Sequence, residues 1–271
     1  MTNKNNQRRK QQEQKRMTKK QAQIERKKKK IKRIIKFITL LLLVIAGVVF
    51  ALVSPIFNIT EIQVSNNNQI PTETVVSLSQ LQVGQNLFRF NKNKVEKEIK
   101  TNPYIQSVTV KRKLPNKIEI TVEEREKNYN VEFLNGYAYI NNQGYILEIS
   151  EQKLDLPVIQ GISTEAEKIV EGNRLNKEDL EKLEVVIKIM NVCKDYELDQ
   201  KVSAIDISNN SDYVLYMESE KKTIYLGDGT NLSNKMLYLP TILTENQSKE
   251  GTIYVDGDIN NNFKPRFREK V

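Results

Sequence analysis

The stretch Phe37-Ile-Thr-Leu-Leu-Leu-Leu-Val-Ile-Ala-Gly-Val-Val-Phe-Ala-Leu-Val53 has no charged residue, no Asn or Gln, and one hydroxyl side chain, that of Thr39. Extended back to Ile34, it gives 20 residues, which is about 30 Å of α-helix and matches the thickness of a bilayer core. Pro55 should end the helix, because proline lacks an amide donor and disfavours helical angles in the residue before it. We therefore predict a transmembrane helix at residues 34–54, with the membrane anchor including Phe37, Leu41, Val44, Val48 and Val53.

Two other interpretations of this stretch fit less well. The core helix of a soluble protein usually keeps a polar face, and this stretch has none. A cleavable signal peptide has an apolar core of about 7–15 residues and small residues at its cleavage site. Here 33 residues precede the apolar run, and Ala51-Leu52-Val53 is a poor cleavage site. The sequence thus favours an uncleaved anchor.

The positive charge of the chain is concentrated before the anchor. Residues 1–33 hold 15 Lys or Arg and only two acidic residues, a net charge of +13, whereas the whole chain carries +9 and the remainder therefore −4. Basic flanks of membrane helices stay on the cytoplasmic side, so we expect a cytoplasmic N terminus and extracytoplasmic residues after about 55. The tail has almost nothing to bury and is predicted to be disordered. It has no interleaved aromatic residues or nucleic-acid-binding motif, so we expect no nucleic-acid partner.

The counts of histidine and cysteine restrict the chemistry. With no histidine in the chain, the Ser-His-Asp and Cys-His nucleophile arrangements and the usual Cys/His zinc sites are excluded. Cys193 is the single cysteine, which leaves no intramolecular disulfide, and it is predicted to be a buried, inert thiol. We expect no metal and no cofactor.

Residues 55–127 have the pattern of a small α+β module. Lys117–Glu124 alternates, with Ile118, Ile120 and Val122 predicted to face inward, as in a half-buried strand. The other predicted elements are a strand at Ile59–Val64, a helix from Pro71 to Ser79, a helix capped by Asn91 or Asn93 with Val95 and Ile99 on one face, and a strand at Ile105–Arg112. The order strand, helix, helix, strand, strand predicts a three-stranded sheet with two helices on one face.

Residues 128–260 are predicted to form a mainly antiparallel β domain with flanking helices. Asn135-Gly136 joins the first two short strands, and Asn-Gly is a strong hairpin signal. Asn176 should cap a helix that runs to about Lys194, with core residues Leu180, Leu183, Ile187 and Met190. The remaining predicted elements are strands at 130–134, 137–141, 145–148, 157–159, 202–207, 213–217, 223–226 and 252–256, a helix at 231–244 interrupted near Pro240, and a polar tail at 261–271.

Four segments of the first module carry a resemblance to a known family. They are SPIFNITEIQV at 54–64, VGQNLF at 83–88, NPYI at 102–105 and RKLPNKIEITVEER at 112–125. In order, in spacing and in position after an anchor, these segments resemble the POTRA domain of the FtsQ/DivIB cell-division proteins. A basic cytoplasmic tail, an anchor, a POTRA domain and a β domain are also that family's layout. The chain departs from the family at Asn66-Asn67, where Gly-Asn is common, and at Glu126-Lys127, where a proline is common.

The resemblance implies a non-enzymatic division scaffold in the cell membrane. It implies binding to two small bitopic division proteins of the FtsB/DivIC and FtsL type, and through them an indirect link to septal peptidoglycan synthesis. It also implies localisation at the division septum, with a single pass through the membrane and the C-terminal domains outside.

Strand addition is the binding mechanism that we predict. The segment Thr252–Asp256 is the last predicted strand, and an exposed last strand offers unpaired amides and carbonyls to a partner. Ordinary pairing inside the sheet is the alternative for this strand, and the outer edge of the POTRA module is a second candidate surface. The predicted partner-binding residues are Thr252, Ile253, Tyr254, Val255, Asp256, Phe263, Arg266 and Phe267, with Arg268 adding charge.

A membrane-anchored cell-wall enzyme or a Ser-Lys peptidase is the alternative function. Signal peptidases resemble this chain in having an anchor and a β-rich ectodomain, but Ser54-Pro55-Ile56 lacks the Met-Pro that follows their nucleophile, and Pro240 lies too far beyond Ser233. Two carboxylates could hydrolyse glycans, although Glu123-Glu124 should fall on opposite faces of a strand. Gly227-Asp228-Gly229 lacks the Lys of a phosphate loop and is predicted to be a hairpin turn.

Overall fold

The computed structural model describes residues 2–134, 136–259 and 263–270. These form two compact units. One comprises residues 1–63, 81–91 and 111–118, and the other comprises residues 64–80, 92–110 and 119–271. The first unit therefore holds the N-terminal helix with three segments of the α+β module, and the second holds the rest of that module with the whole of the larger sheet.

The N-terminal helix, α1, spans Thr2–Val53. Its part from Lys27 to Val53 is long and apolar enough to cross a membrane, by length and composition, and the predicted anchor residues Phe37, Leu41, Val44, Val48 and Val53 are all exposed. The structure differs from the prediction of a disordered tail at residues 1–33, since the helix already begins at Thr2. The tail contains no Gly or Pro and is rich in Lys, Arg and Gln, which have high intrinsic helix propensity.

The α+β module has the predicted order of elements. Its elements are β1 (Glu61–Ser65), α2 (Thr72–Ser79), α3 (Lys92–Ile99), β2 (Ile105–Lys113) and β3 (Lys117–Glu124), and its sheet order is β1-β3-β2. The inward residues predicted for β3, Ile118, Ile120 and Val122, are buried. Val95 and Ile99 of α3 are buried as well, so the 3.6-residue and two-residue periods identified both kinds of element correctly.

The second sheet has nine strands in the order β12-β11-β10-β9-β8-β7-β4-β5-β6. The strands are β4 (Tyr129–Phe133), β5 (Gly136–Ile140), β6 (Ile146–Ser150), β7 (Val158–Gln160), β8 (Ala204–Asp206), β9 (Val214–Met217), β10 (Lys222–Tyr225), β11 (Gly251–Tyr254) and β12 (Arg266–Glu269). Three of the eight neighbouring pairs, β4–β7, β7–β8 and β10–β11, are parallel and the other five are antiparallel. Asn135, half of the predicted hairpin turn, lies outside the described residues.

One row of apolar side chains crosses this sheet from edge to edge and faces the core. In register it consists of Phe267, Ile253, Ile224, Leu215, Ile205, Ile159, Val131, Ala138 and Ile149. Ile149, on the edge strand β6, is 40% exposed and lies outside the core. The helices α4 (Lys177–Asp195), α5 (Leu232–Met236) and α6 (Leu239–Glu245) contribute buried residues to the same core. Because side chains alternate between the two faces of a strand, this row fixes which residues face away from the helices.

Asn176 caps α4, as predicted, through a hydrogen bond that Asp179 N donates to its side chain. The predicted core face of α4 is only partly right. Leu183 is buried, whereas Leu180, Ile187 and Met190 are only partly buried. The fully buried residues Val186 and Ile189 lie at the centre of the face, so the true apolar stripe is rotated by about one position, which the helical period alone does not determine.

A cluster of basic and aromatic side chains lies at the end of β3, next to the second sheet. Nη1 of Arg125 donates to Pro103 O (2.7 Å) and to Ile105 O (2.6 Å), and the Arg125 guanidinium carbon lies 4.0 Å from the centre of the Tyr145 ring. Lys127 Nζ lies 2.7 Å from Glu148 Oε2, which also accepts a hydrogen bond from Tyr104 Oη. These contacts connect residues 103–127 to β6 and to the loop before it.

Candidate interaction surface

The predicted last strand is not the edge of the sheet. Strand β11 pairs in parallel with β10 on one side and antiparallel with β12 on the other. The proposed exposed edge at Thr252–Asp256 is therefore wrong. Ile253 and Val255 are fully buried and their side chains are not available to a partner. The segment predicted as a polar tail at 261–271 contains the strand that covers β11.

Strand β12 joins the sheet because Phe267 extends the apolar row by one strand. In register, Arg266 lies opposite Tyr254, Phe267 opposite Ile253, and Arg268 opposite Thr252. Ion pairs hold the end of the strand. Lys249 Nζ lies 3.1 Å from Glu269 Oε2, and Lys270 pairs with Glu250. Exposed ion pairs each contribute only about 0–1 kcal/mol, so the burial of the Phe267 ring is the stronger attachment.

The outer side of β12 is open. Lys270 N donates to Glu250 O at 2.9 Å, and hydrogen-bonded and non-bonded pairs alternate along an antiparallel ladder. The backbone groups of Arg268 and Arg266 therefore point toward β11, and those of Phe267 and Glu269 point away from it. No strand pairs with that side within residues 2–134, 136–259 and 263–270. An open edge of this kind is a template for a further strand.

Gly251 makes room for Phe267. A Cβ atom at Gly251 would lie 2.7 Å from Cε2 of Phe267 and would collide with the carbonyl oxygen of Arg268. Lys222, itself buried, lies with its Nζ 5.7 Å from the centre of the same ring and donates to Glu220 O at 2.8 Å and to Lys249 O. The ring thus packs between a glycine and a lysine that donates two hydrogen bonds.

The face of the sheet away from the helices carries an aromatic and basic ladder beside this edge. The guanidinium carbon of Arg266 lies 4.5 Å from the centre of the Tyr254 ring. The Tyr254 and Tyr225 rings are stacked, with centres 5.2 Å apart and an interplanar angle of 14°. Burial raises the pKa of the next tyrosine, Tyr216, and the neighbouring Asp206 and Tyr225 add to the rise. These tyrosines are only half-buried, so their outer faces remain available.

The structure brings together only some of the predicted partner-binding residues. Tyr254, Thr252, Arg266 and Phe267 lie at the β11–β12 edge, with Arg266 exposed and the other three half-buried. Phe263 is half-buried and lies 5.8 Å from Tyr238, measured between ring centres. Asp256 is exposed beyond the end of β11. Sequence reasoning missed Tyr225 and the edge position of β12. The four residues Arg266–Glu269 contain one aromatic side chain, which is too short a pattern to reveal a strand.

Residues considered for an enzymatic role have structural partners. Lys235, buried, donates from Nζ to Leu226 O at 3.1 Å, and Ser54 Oγ accepts from Ile56 N at 3.4 Å. Glu123 bonds Ser107 and Gln106, whereas Glu124 accepts from the amides of residues 69 and 70, so the two carboxylates lie on opposite sides of β3, as predicted. The described residues contain no group of three or more His, Cys, Asp or Glu placed to hold a metal ion.

Two further predictions concern the second unit. Cys193 is fully buried, as predicted, and burial raises the pKa of its thiol to about 12, with a smaller contribution from Asp199. The segment Gly227–Gly229 is not a hairpin turn. It follows β10 and precedes α5, because β10 and β11 are parallel and parallel neighbours require a crossover.

The fold and this edge define a class of protein: an α+β module of the POTRA type followed by a mixed β domain, behind one apolar N-terminal helix. Residues 57–125 match the family described as POTRA domain, FtsQ-type, and residues 131–257 match the family described as Cell division protein FtsQ/DivIB, C-terminal. The chain is 30% identical over 216 residues to the cell division protein DivIB of Clostridium tetani, with 78% of each chain covered. It belongs to the FtsQ/DivIB family of cell division proteins.

Other relatives agree with this assignment. The chain is 27% identical over 209 residues to the cell division protein FtsQ of Syntrophotalea carbinolica. The matched region covers 76% of this chain and 72% of the relative. Among solved structures, this chain is similar to POTRA1-2 of the periplasmic domain of Omp85 from Anabaena, at 14% identity and a TM-score of 0.24. The match covers 52% of this chain and 81% of the Omp85 chain. That TM-score is too low to support any inference about the fold.

Proposed function

We propose that this cell-division protein is a non-enzymatic scaffold anchored in the membrane by a single helix, with its N terminus in the cytoplasm. The basic residues 1–33 before the apolar stretch support this orientation. In this proposal the two folded modules lie outside the membrane at the division septum. They bind small bitopic division proteins of the FtsB/DivIC and FtsL type, and these link the scaffold to septal peptidoglycan synthesis.

The open edge of β12 is the observation that carries the proposal. Outward-facing backbone groups of Phe267 and Glu269 can pair with an extended segment of a partner, because main-chain hydrogen bonds supply affinity in strand addition. Arg266, Arg268 and the Tyr254–Tyr225 stack flank that edge. A partner segment that carries acidic and apolar side chains would complement them, since basic and aromatic residues are common anchors at interfaces.

Capture of partners by the full chain tests this function. A tagged full-length chain, purified from detergent-solubilised membranes of dividing cells, should retain two short single-pass proteins. A fluorescent fusion of the same chain should concentrate at the septum. Retention of cell-wall fragments without a protein partner would instead favour the alternative of a membrane-anchored enzyme. In that case, substitution of Ser54, Ser233 or Lys235 should abolish function without unfolding the protein. The scaffold proposal expects no such loss.

A further inference from the structure

The C-terminal end of α1 is fastened to the loop at residues 81–91. Asn86 Nδ2 donates to Ala51 O at 3.0 Å, which satisfies one of the carbonyls that a helix end leaves unpaired. Leu87 N donates to Phe57 O at 2.8 Å. The rings of Phe50 and Phe57 are 6.3 Å apart, and those of Phe57 and Phe88 are 5.3 Å apart. This loop therefore lies beside the last turns of the apolar helix.

The hairpin between β2 and β3 lies at the same end of the module. Asn116 O accepts from Thr60 N at 2.9 Å, and Lys117 Nζ lies 2.6 Å from Glu61 Oε2. Ser65 Oγ donates to Thr121 Oγ1 with the same offset of 56 residues, so β1 and β3 run in the same direction. The start of β3 is thus next to the start of β1, a few residues after α1 ends.

A surface at this end is apolar and basic. We name it the basal surface and define it by the exposed residues Val83, Phe88, Arg89, Lys111, Lys113 and Leu114. Val83 is 68% exposed and Leu114 is 67% exposed, although both are aliphatic. Arg112 connects the hairpin to the loop by donating from Nε to Leu87 O (2.8 Å) and from Nη2 to Phe90 O (3.0 Å). The loop and the hairpin therefore form one surface.

The charge of this surface is opposite to that of the rest of the ectodomain. The whole chain carries +9, of which residues 1–33 contribute +13 and Lys36 contributes +1, so residues 54–271 carry −5. Within them, segments 54–63, 81–91 and 111–118 hold five basic residues and only Glu61, a net of +4, which leaves −9 elsewhere. The cations of residues 54–271 are therefore enriched in the segments next to the end of the anchor.

We propose that the basal surface docks on the outer face of the membrane and binds anionic phospholipid headgroups. Val83, Phe88 and Leu114 would enter the interface while Arg89, Lys111 and Lys113 contact lipid phosphates, the pairing of apolar and basic side chains that characterises interfacial membrane binding. The proposal rests on the membrane anchor proposed above. Docking would add lipid contacts to the contacts that already fasten the 81–91 loop to the end of α1.

Quenching of a fluorescent label in nanodiscs tests the docking. The full chain carrying Gln82→Cys is labelled next to Val83, since Cys193 is buried and does not compete. Asn68→Cys, exposed at the far end of β1, is the matched control. The nanodiscs contain phosphatidylcholine alone, or with one quarter phosphatidylglycerol, together with lipids that carry a quencher near the headgroup. One further variant reverses the charge of the surface with Arg89→Glu, Lys111→Glu and Lys113→Glu. Another removes its apolar side chains with Val83→Asp and Leu114→Asp.

In anionic nanodiscs we expect quenching of the label at position 82 to exceed quenching at position 68 at least about threefold. Quenching at position 82 should fall by at least about half in each of the two variants, and also in high salt or when phosphatidylglycerol is left out. Equal quenching at the two positions would overturn the docking. So would quenching at position 82 that is unchanged by the charge reversal. Failure of the chain to enter nanodiscs would instead overturn the membrane anchor.

Discussion

Arg266 on β12 and Tyr254 on β11 lie directly opposite each other, and the guanidinium carbon is 4.5 Å from the centre of the tyrosine ring. The ring is stacked on its other neighbour, Tyr225, at 5.2 Å. A cation over an aromatic ring contributes roughly 0.5–1 kcal/mol at exposed sites, so this contact stabilises the ladder in the absence of a partner. Such preorganisation lowers the entropic cost of binding.

Tyr254→Lys should weaken partner binding while leaving the domain folded. The change removes the stacked ring and places a second cation beside Arg266. Loss of a central aromatic anchor typically costs about 2 kcal/mol or more in the free energy of binding. The side chain is only half-buried, so the expected change in the free energy of unfolding is below about 1 kcal/mol. Tyr137→Lys, a half-buried tyrosine on β5, is the control and should bind normally. Unchanged capture by Tyr254→Lys would exclude this face from the interface.

Gly251→Ala should loosen β12. The new methyl group would lie 2.7 Å from the Phe267 ring, and crowding of this kind typically costs about 1–3 kcal/mol. We expect faster hydrogen exchange at the amides of Arg266 and Arg268 and a matching fall in urea resistance. Thr252→Ala on the same strand removes atoms without adding any and should leave exchange unchanged. Normal protection of β12 in Gly251→Ala would show that the Phe267 ring is not held as described.

Glu148 should make stability depend on pH in the acid range. Hydrogen bonds from Lys127 and then Tyr104 lower the pKa of this carboxyl below 4.5. Because the pKa is lower in the folded state, the carboxylate stabilises the fold above the unfolded pKa, and this contribution is lost as pH falls through the folded pKa. Glu148→Gln should therefore be less stable than the wild type at neutral pH, and the difference should shrink below about pH 4.5. A difference that stays constant from pH 7 to pH 3 would contradict this assignment.

Arg125→Lys should destabilise the cluster at the end of β3. One nitrogen, Nη1, makes both backbone hydrogen bonds, and a lysine Nζ has enough donors for them, but a lysine has no planar guanidinium to stack on the Tyr145 ring. We therefore expect a loss of about 1–2 kcal/mol in the free energy of unfolding. Arg174→Lys is the control. Arg174 is exposed and lies farther from the same ring, at 5.1 Å, so its replacement should cost less than about 0.5 kcal/mol. Equal losses would show that burial of Arg125 is unimportant.

Local patterns predicted the elements of the first module almost to the residue. Apolar residues follow the two-residue period of a strand at Val108 and Val110 of β2, and the helical period at Val95 and Ile99 of α3. Each period indicates which face of the element is buried. The edge of the second sheet was not predictable in this way. A four-residue strand such as β12 has too few positions to show a period. Its pairing depends on how Phe267 meets Gly251 and Ile253, which lie 16 and 14 residues earlier in the chain.

The proposed binding residues stay a prediction, and the structure changes only which strand forms the edge of the sheet. Tyr254, Arg266 and Phe267 were selected as aromatic and basic anchors, and all three lie at the sheet edge. The sequence predicts Ile253 and Val255 as binding residues on the assumption that β11 is the last strand, whereas both are buried between neighbours. Tyr225 was missed because its stacking on Tyr254 results from the parallel β10–β11 pair, and parallel pairs form through crossovers that no short pattern encodes.

Capture of small bitopic division proteins by two variants of one residue tests the central claim most directly. Glu269→Pro removes an amide that points away from β11, so it blocks strand addition and keeps the bonds between β12 and β11. Glu269→Ala removes the same ion pair with Lys249 and keeps the amide. With the full chain in detergent, we expect Glu269→Ala to retain the partners like the wild type and Glu269→Pro to lose them at least about tenfold. Equal retention by both variants, with β12 still protected from hydrogen exchange, would contradict strand addition at this edge.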